Sequence, residues 1–210
     1  MRRLQSVFAI FSLTLTCSFL TATKSNFSTC SGNFTLSADT STFYFPADKL
    51  DTFSNTWYSK MLRALHEPVL YNYSGDKEIY RFTWLRTFHH PVSLRLENNN
   101  NKITLTVKVS NGAGGYDPGQ IIIDTTIDIT LDDWNTFVGK ADKVNFWNLQ
   151  TEVKEMGLDG SEWILEGVTK NKYHFTTRWS PPYSKNEGYR DCCDYLISLS
   201  KLKIPKRDKY

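Results

Sequence analysis

The run from Val92 to Val109 constrains the fold more than any other part of the chain. Val92, Leu94 and Leu96 alternate with Ser93, Arg95 and Glu97. Four asparagines, Asn98 to Asn101, intervene, and then Ile103, Leu105, Val107 and Val109 alternate with Lys102, Thr104, Thr106 and Lys108. Successive side chains of a strand point to opposite faces, so this pattern is an antiparallel hairpin with one apolar face. With all four asparagines in the loop, residue 97 faces 102. Leu96 then meets Ile103, Leu94 meets Leu105 and Val92 meets Val107.

The flanks extend the sheet. Tyr80, Phe82, Trp84 and Phe88 alternate with Arg81, Thr83 and Thr87. On the other side, a loop bearing Gly and Pro, Asn111 to Gly119, leads into Ile121 to Ile129. That makes a meander of at least four strands.

Helical spacing appears elsewhere. Leu50, Phe53, Trp57, Met61 and Ala64/Leu65 recur every three or four residues and stop before Pro68. Thr130-Leu-Asp-Asp133 forms a capping box ahead of Trp134, Phe137 and Val138. A last helix is expected from about Glu187 to Leu202, with Tyr189, Cys192, Cys193, Leu196 and Leu199 inward. Residues 143–160 read as irregular, anchored by Phe146-Trp147 and turning at Asp159-Gly160. The expected fold is α+β: a single domain over 46–203, with an antiparallel meander of about five to seven strands packed by two or three helices. Residues 23–45 read as an extended arm ending in a short strand at Phe43-Tyr44-Phe45, and 204–210 as a solvated basic tail.

The N-terminus reads as a bacterial signal peptide over 1–22. Arg2 and Arg3 give the positive start, Val7 to Leu20 the apolar stretch, and Leu20-Thr21-Ala22 the cleavage point. The stretch is short and hydroxyl-bearing for a membrane anchor, and no later segment is apolar enough to span a bilayer. Lipoprotein anchoring through Cys17 lacks a small residue immediately before that cysteine. The expectation is export to the periplasm or beyond.

Loss of residues 1–22 removes two of the 25 basic residues and none of the 22 acidic ones, so the net charge falls from +3 to +1. Such a balance excludes nucleic acid as the main partner, since phosphate binding needs concentrated basic surface. Cys30, Cys192 and Cys193 remain. Either Cys30 bridges one of the vicinal pair, or that pair serves as small buried apolar residues.

Chemistry concentrates in Leu158 to Pro182, which reads as two strands around a loop at Thr169-Lys-Asn171. In that register Glu166 lies opposite His174 and Glu162 opposite Arg178, all four on one face. Trp163, Leu165, Tyr173, Phe175 and Trp179 fill the other. The polar four read either as the floor of a site or as two cross-strand ion pairs, each contributing about 0–1 kcal/mol. A two-residue loop instead sets Trp163 opposite Arg178 and disperses the quartet.

The candidate binding residues are Trp163, Glu166, Tyr173, His174, Arg178 and Trp179. No catalytic residue is assigned: Gly-x-Ser-x-Gly, His-Glu-x-x-His and phosphate-loop patterns are missing. Nor is any cofactor or metal expected. His89 and His90, adjacent on an extended chain, point apart, and no Cys-x-x-Cys occurs. Gly112 to Gly119 reads as a hairpin connection, with Tyr116 and Asp117 exposed at the lip of a cleft.

Gly157-Leu-Asp-Gly-x-x-Trp163-x-Leu-Glu166-Gly, Tyr173-His174 and Arg178-Trp179-Ser180-Pro181 resemble a pattern in a group of uncharacterised bacterial proteins of similar size. Arg86 to Pro91 and Tyr116 to Gly119 fit it more loosely. The resemblance implies a shared fold and residue cluster, and no reaction. The expected function is binding of a small ligand or a protein partner; the alternative is a small cell-envelope hydrolase with Glu166 and His174 as acid and base and Arg178 placing an anion.

Overall fold

A computed structural model describes residues 42–153, 157, 159–170, 172–182 and 188–210. The signal segment, Cys30 and most of the arm lie outside the described residues. The fold is α+β, with one six-stranded sheet whose neighbours all pair antiparallel. In chain order the elements are α1 (Thr52–Ala64), β1 (Glu78–Arg86), β2 (Val92–Asn99), β3 (Lys102–Ser110), β4 (Ile121–Asp128), α2 (Leu131–Lys143), β5 (Ser161–Thr169), β6 (Lys172–Trp179) and α3 (Gly188–Leu199). The spatial order β4-β3-β2-β1-β5-β6 is a four-strand meander with a separate hairpin added at β1.

Alternation assigns each strand two different faces. Tyr80, Phe82, Trp84, Leu94, Leu96, Leu105, Val107, Trp163 and Leu165 form one apolar face, packed with Trp134 and Phe137 of α2 and Leu196 and Ile197 of α3. The Thr130 hydroxyl caps α2 by accepting from the Asp133 amide at 3.1 Å, as the capping box requires. Cys192 and Cys193 are free thiols buried in this layer, and burial raises both thiol pKa values. They serve as small apolar groups.

The opposite face meets α1. Asp51 caps that helix, accepting from the amides of Phe53 and Ser54 at 2.9 and 3.0 Å. Its inward side is set by Asn55, Tyr58, Ser59, Met61 and Leu62 rather than by Phe53 and Trp57. The reason is polar. Asn55 donates to the Phe45 carbonyl at 3.0 Å and the Ser59 hydroxyl accepts from the Tyr44 amide at 2.8 Å. Tyr44 and Phe45 thus enter the core as an irregular plug, without the short strand expected there.

The register of the β2–β3 hairpin differs from expectation by two residues. Asn99 pairs with Lys102, so Leu96 meets Leu105 and Leu94 meets Val107. Asn100 and Asn101, at φ 51° and 68°, make the two-residue turn, a left-handed conformation that Asn tolerates. The basic tail is docked rather than solvated: the main-chain oxygens of Asp208, Lys209 and Tyr210 each accept from buried side chains.

Candidate functional site

The β5–β6 hairpin corrects the expected cluster. Thr169 pairs with Lys172, which leaves two residues between the strands. Glu166 therefore faces Phe175, Gly167 faces His174, Trp163 faces Arg178 and Glu162 faces Trp179. Glu162, Glu166, Tyr173 and Trp179 share the α1 face, whereas Trp163, His174 and Arg178 lie on the other. The acid–base pair expected between Glu166 and His174 is not formed, and neither is the pair between Glu162 and Arg178. Phe175 and Tyr173 pack under α1 with Phe45, Tyr58 and Ile164. This register buries Trp163 and Phe175 and leaves Tyr173 and Trp179 partly buried.

Glu166 is instead bound by Arg81, a residue read only as the polar side of a strand. Arg81 Nε and its two terminal nitrogens reach Glu166 Oε2 at 2.6 Å, Glu166 Oε1 at 2.8 Å and the Pro68 carbonyl at 2.6 Å. The Tyr173 hydroxyl donates to Glu166 Oε1 at 3.1 Å. Glu67, just after α1, approaches Arg81 at 3.5 Å, Arg95 at 2.9 Å and Lys108 at 3.6 Å. Arg95 also pairs with Glu97. A bidentate guanidinium–carboxylate pair at zero exposure, tied to this network, joins the segment after α1 to four strands, β1, β2, β3 and β5. Arg81 and Glu166 have no exposed surface, and Tyr173 lies partly buried beside them.

The remaining candidates separate. Arg178 donates to the Gln150 carbonyl at 3.1 Å and lies over the Tyr189 ring. His174 packs edge-on against Phe146, and burial lowers its pKa, so the ring stays neutral. Trp163 is in the core.

Trp179 lines a groove. This groove, of about 890 Å³, runs between α1 and the glycine-rich loop, bounded by the aromatic side chains of Phe53, Trp57, Tyr116 and Trp179. Thr52, Thr56, Thr87 and Lys60 add hydroxyls and an ammonium along its edge. Phe53 is 76% exposed, Tyr116 62%, and Phe88, whose ring centroid lies 6.1 Å from that of Tyr116, 59%. The groove is built firmly. Trp57 Nε1 donates to the Gly114 carbonyl at 2.7 Å, and Lys60 meets Asp117 at 3.4 Å, joining helix to loop. A Cβ at Gly114 would come within 2.6 Å of the Arg86 amide nitrogen, so only glycine lets the loop lie on β1. A Cβ at Gly157 would meet Trp179 Nε1 at 2.1 Å, so glycine lets the chain close over that indole.

Behind Trp179, Glu162 sits against the hydroxyls of Tyr58 and Thr177. Burial pushes its carboxyl up to about 8, with Glu152 adding to the rise and Arg178 opposing it. Burial thus favours its protonated, hydrogen-bonding form. Among the described residues no group of three His, Cys, Asp or Glu is placed to hold a metal, and no helix is long and apolar enough to cross a membrane.

Sequence reasoning placed Tyr116 and Asp117 at a cleft and named Trp179, but missed Phe53 and Trp57 by assigning them to the core. The overlooked signal was Asn55 and Ser59, two polar residues on a helix whose other side carries apolar ones. No protein-family model matches the chain, and no curated protein sequence matches it.

Proposed function

We propose that this protein is a binding module, and that the groove between α1 and the glycine-rich loop holds its ligand, a glycan chain. The observation that carries the reading is the set of solvent-facing rings, Phe53, Tyr116 and Phe88, beside a groove floored by Trp57 and Trp179. Exposed large apolar side chains gathered in one place are characteristic of recognition surfaces. Rigid rings offer flat apolar area at low entropic cost, which suits the C–H faces of sugar rings, while the Thr hydroxyls, Lys60 and Asp117 suit their hydroxyl groups. A hydrolase built on Glu166 and His174 lacks support, because those two side chains lie on opposite faces of the sheet.

The test is a titration with soluble oligosaccharides, among them chitin, cellulose, α-glucan and peptidoglycan fragments, followed by tryptophan fluorescence. At least one series should shift the emission with an affinity that rises with chain length. Phe53→Ala and Tyr116→Ala should each weaken that binding tenfold or more while leaving the melting temperature within about 2 °C, as expected for exposed positions. Binding indifferent to both substitutions, or no binding by any series, overturns the reading.

We place the protein outside the cytoplasm. What supports this is the sequence of residues 1–22, with Arg2, Arg3 and the apolar stretch to Leu20. Intact mass of the protein from its native host should show a mature chain beginning near Thr23; an uncleaved Met1 contradicts export by this route.

A further inference from the structure

The two edges of the sheet are finished differently. At β6 the Thr177 amide donates to the Thr151 carbonyl at 2.7 Å, and the Thr176 hydroxyl and Arg178 donate to the Gln150 carbonyl at 2.9 and 3.1 Å. A segment of chain therefore covers that edge. At β4, among the described residues, the main chain of 121–128 bonds to β3 and to nothing beyond it. An uncovered edge is a template for another strand, and proteins usually blunt it with Lys, with Pro or by keeping it short. β4 runs for eight residues without Lys or Pro, and its one register irregularity falls at the start, opposite Val109 and Ser110. Ile122 near one end and Leu131 just past the other are 53% and 49% exposed.

The strand is also symmetric in sequence. Ile121, Ile123, Thr125, Ile127 and Ile129 read the same in both directions about Thr125, and Ile123, Ile127 and Ile129 pack on the apolar layer. Such a run complements itself when turned antiparallel. The backbone limits the registers. The Ile129 amide donates to the Ile103 carbonyl at 3.0 Å, and the next pair inward is Asp128 with Thr104. Antiparallel bonding alternates along a strand, so the peptide groups of Asp124, Thr126 and Asp128 point away from β3. Only a register that opposes even-numbered residues to even-numbered ones joins those groups and keeps the isoleucines on one face. Centred on Asp124, the pair sets Asp124 against its own copy. Centred on Thr126, it sets Asp124 against Asp128. Both are like-charge contacts. Centred on Thr125, it opposes Asp124 to Thr126, Asp128 to Ile122 and Ile123 to Ile127, and it uses the whole strand.

We propose that β4 is a dimerisation edge, which pairs antiparallel with β4 of a second copy of this chain about a two-fold axis through Thr125. The two sheets then continue as one. The axis is normal to the sheet, so α2 and α3 of both copies lie on one side and both copies of α1 on the other. Because β6 is covered, the assembly closes at two copies instead of growing into a longer array. The pairing is independent of what the groove beside α1 binds. Thr125 faces its own copy as a non-hydrogen-bonded pair, the kind in which Cα atoms approach to about 4.5 Å, close enough for a disulfide.

The experiment is sedimentation equilibrium of the full chain over a dilution series, where a monomer–dimer equilibrium is expected. Thr126 is exposed. Thr126→Asp sets a carboxylate opposite Asp124 at two symmetric places and should weaken the dimer about tenfold or more, whereas Thr126→Lys sets an ammonium there and should leave it at least as tight. Under mild oxidation Thr125→Cys should form a disulfide-linked dimer by itself. Ile123→Cys and Ile127→Cys should link when mixed and neither alone, each compared with the wild type, which carries the same native cysteines. A chain that stays monomeric throughout the series overturns the proposal. So does a dimer that Thr126→Asp and Thr126→Lys affect equally, since it must use another surface, and so does Thr125→Cys linking no more than the wild type. Melting curves of dilute protein identify any variant that fails to fold, and the behaviour of the wild type decides the question without it.

Discussion

The two faces of the sheet are both closed to solvent at their centres, but by different chemistry. One is closed by Phe82, Leu94, Leu96 and Leu165 against α2 and α3; on the other, an apolar cluster of Phe45, Tyr58, Ile164 and Phe175 under α1 adjoins a buried ionic network of Arg81, Glu166, Glu67, Arg95 and Lys108. An apolar layer tolerates exchange of one hydrocarbon shape for another of equal volume, since its cohesion is non-directional. A buried ionic layer does not. Each charge there is balanced by named atoms, and removing one partner leaves the other uncompensated in a medium that cannot solvate it. Conservative substitutions should therefore be costly on one face and mild on the other.

The largest effect is expected at Glu166. Glu166→Gln keeps the shape but deprives Arg81 of its counter-charge, and should destabilise by about 3–5 kcal/mol, lowering the melting temperature by roughly 10 °C. On the apolar face the shape-conserving Leu94→Met should cost less than about 1.5 kcal/mol in urea denaturation. Equal losses at the two positions would remove the distinction between the faces.

The sharpest comparison is the same substitution four residues earlier on β5. Glu162 has no cation within ion-pairing distance among the described residues, and its carboxyl is raised from an ordinary 4.5 to about 8. The folded state thus retains a proton that the unfolded state releases. Its contribution is greatest below about 4.5 and is lost as the pH rises through 8. Glu162→Gln mimics the protonated acid, so it should leave stability at pH 5 nearly unchanged, flatten the decline between pH 5 and 8, and raise the melting temperature at pH 9. A parallel pH profile for mutant and wild type would show that Glu162 is ionised in the fold.

The two hairpins show how far the sequence was legible. For β2–β3 the expected partner sums were off by two residues, and nothing of consequence moved, because a shift of two returns every side chain to the same face. For β5–β6 the error was one residue, which reversed β6 relative to β5 and broke up the proposed Glu166–His174 cluster. Alternation could not choose between those registers. Tyr173, Phe175 and Trp179 suit either face of a sheet that is covered on both sides. The charged face left a different trace: Arg81, Arg95 and Lys108 fall on the same face of three successive strands. That row of cations calls for acidic partners, and Glu67 and Glu166 supply them from 28 and 71 residues beyond Arg95 along the chain in either direction.

By itself the sequence determined the α+β class, the meander, the capped start of α2 and the apolar face, because each depends on periodicity or on a cap within a few residues. Only the tertiary structure decided which carboxylate meets which guanidinium, that Phe53 turns outward and Trp57, half-buried, lines a groove beside it, and that the basic tail docks against buried side chains. Those outcomes depend on contacts between segments distant in the chain, where competing pairings of similar local merit are separated by the packing of the whole layer.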